Sequence, residues 1–194
     1  MKKYELTTEC KEFLGRKLYR IKALTSFSDV KEGDLGGWIE KEENLSQEGN
    51  AWVFDNARVF GNAWVCNNAR VCDNATVCGN ARVCNNARVC DNAWVYGNAW
   101  VYGNAEIKKK THLLEIGFIG SRDDVTTFFR TKDKEIFVKC GCFSGNIDEF
   151  EKQVQKVHGD DKHGRVYALA IAMAREQIGL DDEDMEAENG KTDC

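Results

Sequence analysis

Three sets of side chains in this 194-residue sequence recur at spacings that could support chemistry. Cys66, Cys72, Cys78, Cys84 and Cys90 fall on every sixth residue, and Asp55, Asp73 and Asp91 on every eighteenth. Trp52, Arg58, Trp64, Arg70, Arg82, Arg88, Trp94 and Trp100 share one six-residue frame, broken only by Thr76. Thiols can form disulfides, and carboxylates suit hard cations. Tryptophan and arginine are the side chains most often dominant in protein interfaces. The histidines (His112, His158 and His163) all lie outside this frame. Also outside it, Cys140-Gly-Cys142 with His158 offers ligand types that zinc accepts, without the paired Cys-x-x-Cys knuckles of a structural site. Arg122, in Ser121-Arg122-Asp123, could reach an anion. Together with His158 and Tyr167 it makes a candidate ligand pocket.

Positioning these groups is the work of ten gapless hexapeptides from Glu48 to Ile107. Each has Asn third and Ala fourth, and its sixth residue is Val, or Ile once. Side chains alternate along a strand, so Ala and Val face one side and the residue between them the other. Gly, Asp or Asn followed by Asn is turn chemistry and tolerates left-handed backbone. The unit is a short strand and a corner. The residue before Asn is Asp at 55, 73 and 91, Gly at 61, 79 and 97, and Asn at 67 and 85, a period of eighteen residues. Three hexapeptides therefore make one coil. The spacing predicts a three-sided left-handed parallel β-helix spanning 48–107, with rungs about 4.8 Å apart.

That geometry sorts the candidates. Val53, Val71, Val89 and Ile107 stack inside, as do Val59/Val77/Val95 and Val65/Val83/Val101, and corner asparagines form amide ladders. Trp52/Arg70/Arg88/Glu106, Arg58/Thr76/Trp94 and Trp64/Arg82/Trp100 form outer columns, in which arginine can lie over tryptophan. These Trp and Arg residues are the expected interface, either a homotrimer seam or a partner site, since a bare aromatic strip is unusual on a soluble monomer. Cys66 stacks over Cys84 and Cys72 over Cys90, with free thiols expected in a reducing cytosol. The Asp column reads as turn residues facing water, and the Cys140–Cys142 stretch as a small-residue strand end. No metal and no cofactor are expected.

An open coil needs its ends covered. Residues 1–47 read as an N-terminal β cap, with a strand over 16–24, a turn over 34–38, and Leu45 in an imperfect lead-in rung. After Lys108-Lys109-Lys110 an α+β module spans 108–180. Strands are predicted over 113–119, 125–130 and 135–140. A helix starts at the Asn146/Glu149 capping box and turns Ile147, Phe150, Val154 and Val157 inward. A second helix over 164–178 carries Val166, Leu169, Ala170 and Met173 inward. Residues 181–194 hold seven acids against one lysine and read as a disordered acidic tail.

Composition narrows the function classes. Net charge is −5, with −6 in that tail and +1 over residues 1–180, so nucleic-acid binding is not expected. No apolar run approaches the length of a membrane span, and the N-terminus lacks a secretory h-region. A cytoplasmic protein is expected.

Two stretches carry a resemblance. Ser26-Phe-Ser-Asp-Val-Lys-Glu-Gly-Asp-Leu-Gly-Gly-Trp38, then Asn44-Leu-Ser-Gln and Gly49-Asn-Ala-Trp-Val53, resembles the lead-in segment of enterobacterial transferase-labelled β-helix proteins and of shorter hexapeptide proteins of phages and prophages. Ile119-Gly-Ser-Arg122, Cys140-Gly-Cys-Phe143, Glu149-Phe-Glu and His158-Gly159 are similar to a module that follows such coils in phage-type proteins. The resemblance implies a bacterial host cytoplasm and a binding or scaffold protein. It would act as an inhibitor or sequestering agent of a host defence component, with a host protein or a small signalling ligand as partner. Acyltransferases of this fold use a coil histidine as general base. With none in the coils, no catalytic residue is assigned. An atypical acyltransferase, with His112 just past the last rung, and a polymer-forming structural protein are the alternatives.

Overall fold

The structure, a computed structural model, describes residues 2–180; the predicted acidic tail lies outside the described residues. Strands β1 (Tyr4–Phe13) and β2 (Arg16–Ala23) pair antiparallel and lead to β3 (Leu35–Ile39). Ten two-residue strands follow: β4 (Trp52–Val53), β5 (Arg58–Val59), β6 (Trp64–Val65), β7 (Arg70–Val71), β8 (Thr76–Val77), β9 (Arg82–Val83), β10 (Arg88–Val89), β11 (Trp94–Val95), β12 (Trp100–Val101) and β13 (Glu106–Ile107). They stack in parallel as β4-β7-β10-β13, β3-β5-β8-β11 and β6-β9-β12, with register steps of eighteen residues, such as Trp52↔Arg70 and Arg70↔Arg88. The result is a three-sided solenoid of about four turns.

Small inward side chains set its cross-section. Each repeat Ala and Val is buried, at most 1 % exposed, and they form one continuous apolar core. At every corner the residue before Asn has positive φ, from +50° at Asp55 to +72° at Gly61. A Cβ added at Gly49 would come within 2.5 Å of the Asn67 carbonyl, so that corner accepts only glycine. The asparagines form the expected ladders, Asn50→Asn68→Asn86 and Asn62→Asn80→Asn98, at 2.9–3.2 Å.

The N-terminal segment covers the first coil. Asp34–Trp38, expected as a turn, is mostly strand instead: Trp38 and Ile39 pair in parallel with Arg58 and Val59, which makes β3 the first rung of one face. Gly36 and Gly37 allow this, because an added Cβ at either would strike the Val53 backbone or side chain within 2.7 Å. Leu45 bridges to Val65 as the lead-in rung on another face. Lys3 Nζ donates to the Ala51 carbonyl at 2.9 Å.

The opposite end is closed by the C-terminal module. Strands β14 (Leu113–Ile119), β15 (Asp124–Arg130), β16 (Ile136–Cys140) and β17 (Phe143–Asn146) form an antiparallel meander. Helices α1 (Ile147–His158) and α2 (Lys162–Gln177) pack on it. The Asn146/Glu149 capping box forms as expected. The fourth strand was not predicted, because it is short and carries Ser, Gly and Asn. The module docks on the last coil through Tyr102, whose ring meets Phe129 and Phe137 edge-on and whose hydroxyl bonds that of Ser144. Thr127 Oγ1 accepts the Trp100 N–H, and Glu115 accepts that of Asn98.

The helix faces need correction. On α1, Ile147, Phe150 and Val154 are buried but Val157 is exposed. On α2, Tyr167, Ala170, Ile171 and Ala174 face the sheet, while Leu169 and Met173 are 72 % and 54 % exposed and Val166 is half-buried. Of the two apolar stripes on α2, the one bearing Tyr167 wins because its ring packs edge-on against Phe150 at 5.4 Å.

Candidate functional site

The three outer columns share one sequence pattern but meet different surroundings. Trp52 is only 1 % exposed, wedged edge-on against Tyr4 and Phe27. Beside it Arg70 makes a two-pronged ion pair with Asp29 at 2.6 and 2.7 Å and lies over the Phe54 ring. The side-chain bonds from Arg70 hold the Asp29 carboxyl down at about 2. These two expected interface residues serve the N-terminal cap instead, because its chain returns across the first coil at this face. Arg88, farther along, is exposed.

On the second face Arg58 stacks over Phe13 at 4.4 Å, Thr76 is buried, and Trp94 is half-buried with Lys110 over its ring. The third face differs. Trp64 and Trp100 are 41 % and 39 % exposed, with Arg82 exposed between them on the same column. The Arg82 guanidinium and the Lys139 ammonium both lie over the Trp100 ring, at 5.7 and 4.8 Å. It is a flat cationic and aromatic strip on rigid backbone.

A second candidate lies in the C-terminal module. Two turns and both helices surround a cavity of about 140 Å³, lined among others by Arg122, Cys140, Cys142, His158 and Tyr167. The structure thus brings together Arg122, His158 and Tyr167, which lie far apart in sequence. Arg122 reaches across from the β14–β15 turn to the Gly141 turn, where an added Cβ would meet its Nη1 at 3.5 Å. The Tyr167 hydroxyl is 3.4 Å from Cys140 Sγ, and Thr126 Oγ1 donates to that sulfur at 3.2 Å. Burial, then the bond to Cys140, pushes the Tyr167 phenol well above the usual tyrosine range. His158 Nδ1 lies 3.4 Å from Asp161 Oδ2, and its ring is 5.8 Å from that of Tyr167. The Asp161 carboxyl is held low, chiefly by the Gly164 N–H at the start of α2. A guanidinium, an imidazole and a phenol around an apolar floor suit a small ring bearing an anionic group. Pocket residues that sequence reasoning missed are Asp124 and Gln153, which carry no motif.

His112, the residue nearest to an acyl-transfer base, is buried, and its Nδ1 accepts the Lys108 N–H. Burial, with Arg130 nearby, lowers it to about 4, so the ring is neutral but closed to substrate. One thiol pair departs from expectation, while Cys66 and Cys84 stay free as expected. Cys72 and Cys90 are disulfide-bonded, and Cys66 Sγ is 2.7 Å from Cys84 Sγ. Parallel register puts each pair one rung apart, with Cα atoms of Cys72 and Cys90 only 4.7 Å apart, so contact follows from the stacking. In the Asp column each residue stands at a left-handed corner, as turn chemistry requires, and Asp73 Oδ2 accepts the Asp91 N–H one rung away at 3.1 Å. Among the described residues no helix is long and apolar enough to cross a membrane.

Residues 49–67, 69–85 and 87–103 match the family model described as the YdcK beta solenoid repeat. A curated relative, named "Uncharacterized acetyltransferase YdcK" of Escherichia coli (strain K12), is 43 % identical over 63 residues, or 28 % of this chain. The chain spans 19 % of that relative's length.

Proposed function

We propose that this chain, a solenoid of YdcK-type repeats, is a non-enzymatic binding protein that docks a protein partner on the strip formed by Trp64, Arg82 and Trp100. The observation that carries the reading is the unequal fate of equivalent residues. The cap buries Trp52, and Phe13 and Lys110 cover parts of the second face, while Trp64 and Trp100 on the third column stay exposed even with Lys139 over the Trp100 ring. Desolvating tryptophan beside arginine is how compact interfaces gain most of their energy. Self-association into a homotrimer through this strip is the first form to test. A host protein in a bacterial cytoplasm is the second, in keeping with the phage-type resemblance and an inhibitory or sequestering role. The cleft at Arg122, His158 and Tyr167 then takes a small anionic ligand.

Acyl transfer is the competing reading, favoured by a relative named as an acetyltransferase. Against it stand a coil without histidine and a His112 ring that is buried. Polymer formation by end-to-end stacking is opposed by the two caps.

Light scattering behind a sizing column, with the protein as bait in a bacterial lysate, tests the proposal. Wild type should run as a trimer or retain a protein, and a Trp64→Ala/Arg82→Glu variant should lose both while keeping its circular dichroism. A wild-type monomer that retains the same proteins as the variant overturns it. Acetyl-CoA stabilisation of wild type but not of His112→Ala would favour the enzyme.

A further inference from the structure

We propose that the corner formed by Cys72, Asp73 and Cys90 binds a thiophilic divalent cation of the zinc type when its cysteines are reduced. The site follows from the fold. In-register rungs bring Cys72 and Cys90 together with Cα atoms 4.7 Å apart. Asp73, next in the chain, turns at φ +57°, which swings its carboxylate beside the sulfur column. One carboxylate oxygen is fixed by the Asp91 N–H at 3.1 Å. One ligand atom from each of the three residues then lies within 4.8 Å of the other two.

The spacing suits a tetrahedral ion. Zinc–sulfur bonds of about 2.3 Å place two thiolates roughly 3.8 Å apart, a separation that rung-spaced cysteines reach by side-chain rotation alone. Cys90 is buried, Cys72 half-buried and Asp73 exposed, so three protein ligands leave a fourth position facing water. Two thiolates with one carboxylate favour zinc or cadmium over magnesium or calcium. Binding converts two thiols to thiolates and releases two protons, and the disulfide lacks these donors, so the bridge and the ion exclude each other.

The other corners supply internal controls. Cys66 and Cys84 also touch, but asparagines Asn67 and Asn85 follow them where aspartates follow Cys72 and Cys90. The third corner has a single thiol, Cys78, between Phe60 and Tyr96.

The test uses the full chain, reduced with a phosphine under anaerobic conditions, and titrated with cobalt(II) and then zinc. Expected are one cobalt per chain with a thiolate charge-transfer band, displacement by zinc, and zinc protection of Cys72 and Cys90 from alkylation read by mass spectrometry. Cys72→Ser/Cys90→Ser should abolish the band, and Asp73→Asn should weaken zinc binding by about tenfold or more. Cys66→Ser/Cys84→Ser should leave both unchanged. Asp73 is exposed, so Asp73→Asn remains informative if the serine variant fails to fold. Absence of the band in reduced wild type, its loss in the Cys66/Cys84 variant, or zinc affinity indifferent to Asp73→Asn would overturn the assignment.

Discussion

Glu115 Oε1 accepts the backbone N–H of Asn98 at 3.1 Å, the role that the Gly97 carbonyl plays for Asn80 and the Gly79 carbonyl for Asn62. A side chain of the C-terminal module thus stands in for the corner of a missing rung. Replacing it with Ala leaves that N–H without its acceptor and should cost about 1 kcal/mol. Glu115→Gln keeps a carbonyl oxygen and should cost less. Thermal unfolding, with hydrogen exchange at the Asn98 amide, measures both effects.

Acid should weaken the fold through His112. Its folded value of about 4 lies below the ordinary 6.5, so between these the unfolded chain binds the extra proton. Stability from this group is complete above pH 6.5 and falls as pH drops toward 4, by about 3 kcal/mol in all. Denaturant unfolding from pH 7 to 4 should show that loss, and a folded His112→Asn variant should show a flatter profile.

Trp52 and Trp64 occupy the same repeat position and should respond oppositely. Trp52→Ala empties a cavity against Tyr4 and Phe27 and should cost about 3–5 kcal/mol. Trp64→Ala should cost less than about 1 kcal/mol in an isolated chain, its effect appearing in association instead. Urea melts of the two variants, run beside sizing chromatography, separate these outcomes.

Gly79→Ala should destabilise by about 1–2 kcal/mol. The position has φ +71°, and the new Cβ would stand 2.9 Å from the Gly97 carbonyl one rung away. Differential scanning calorimetry gives the loss. An unchanged midpoint would mean that the corner relaxes.

The coil could be read from the sequence because each rung repeats the same local reason: Ala and Val inward, a left-handed corner, then Asn. What could not be read depends on neighbours from outside the repeat. Nothing in the hexapeptides distinguishes Trp52 from Trp64; only the returning cap does. The choice between the Tyr167 and Leu169 stripes of α2 rests on Phe150, an aromatic partner on another helix. Gly141-Cys142 closes a two-residue hairpin into β17, but polar Ser144 and Asn146 gave that strand no periodic signature. The thiol pairs follow from the period of eighteen, whereas the bond between Cys72 and Cys90 does not, since the same period leaves Cys66 and Cys84 free. Arg122, His158 and Tyr167 came from helix ends and turns, and their convergence needed the meander that folds those turns together.

The three-sided cross-section has a geometric consequence for how such a protein can change length. The caps hold the two ends of the coil, so rungs inserted between them act as spacers. Inserting eighteen residues lengthens the prism and returns the C-terminal cleft to its original azimuth relative to the Trp64 strip. Inserting six or twelve instead turns the cleft by one or two thirds of a revolution. The solenoid is in this sense a protractor with three marks, on which repeat number sets the compass bearing between the two surfaces as well as the distance.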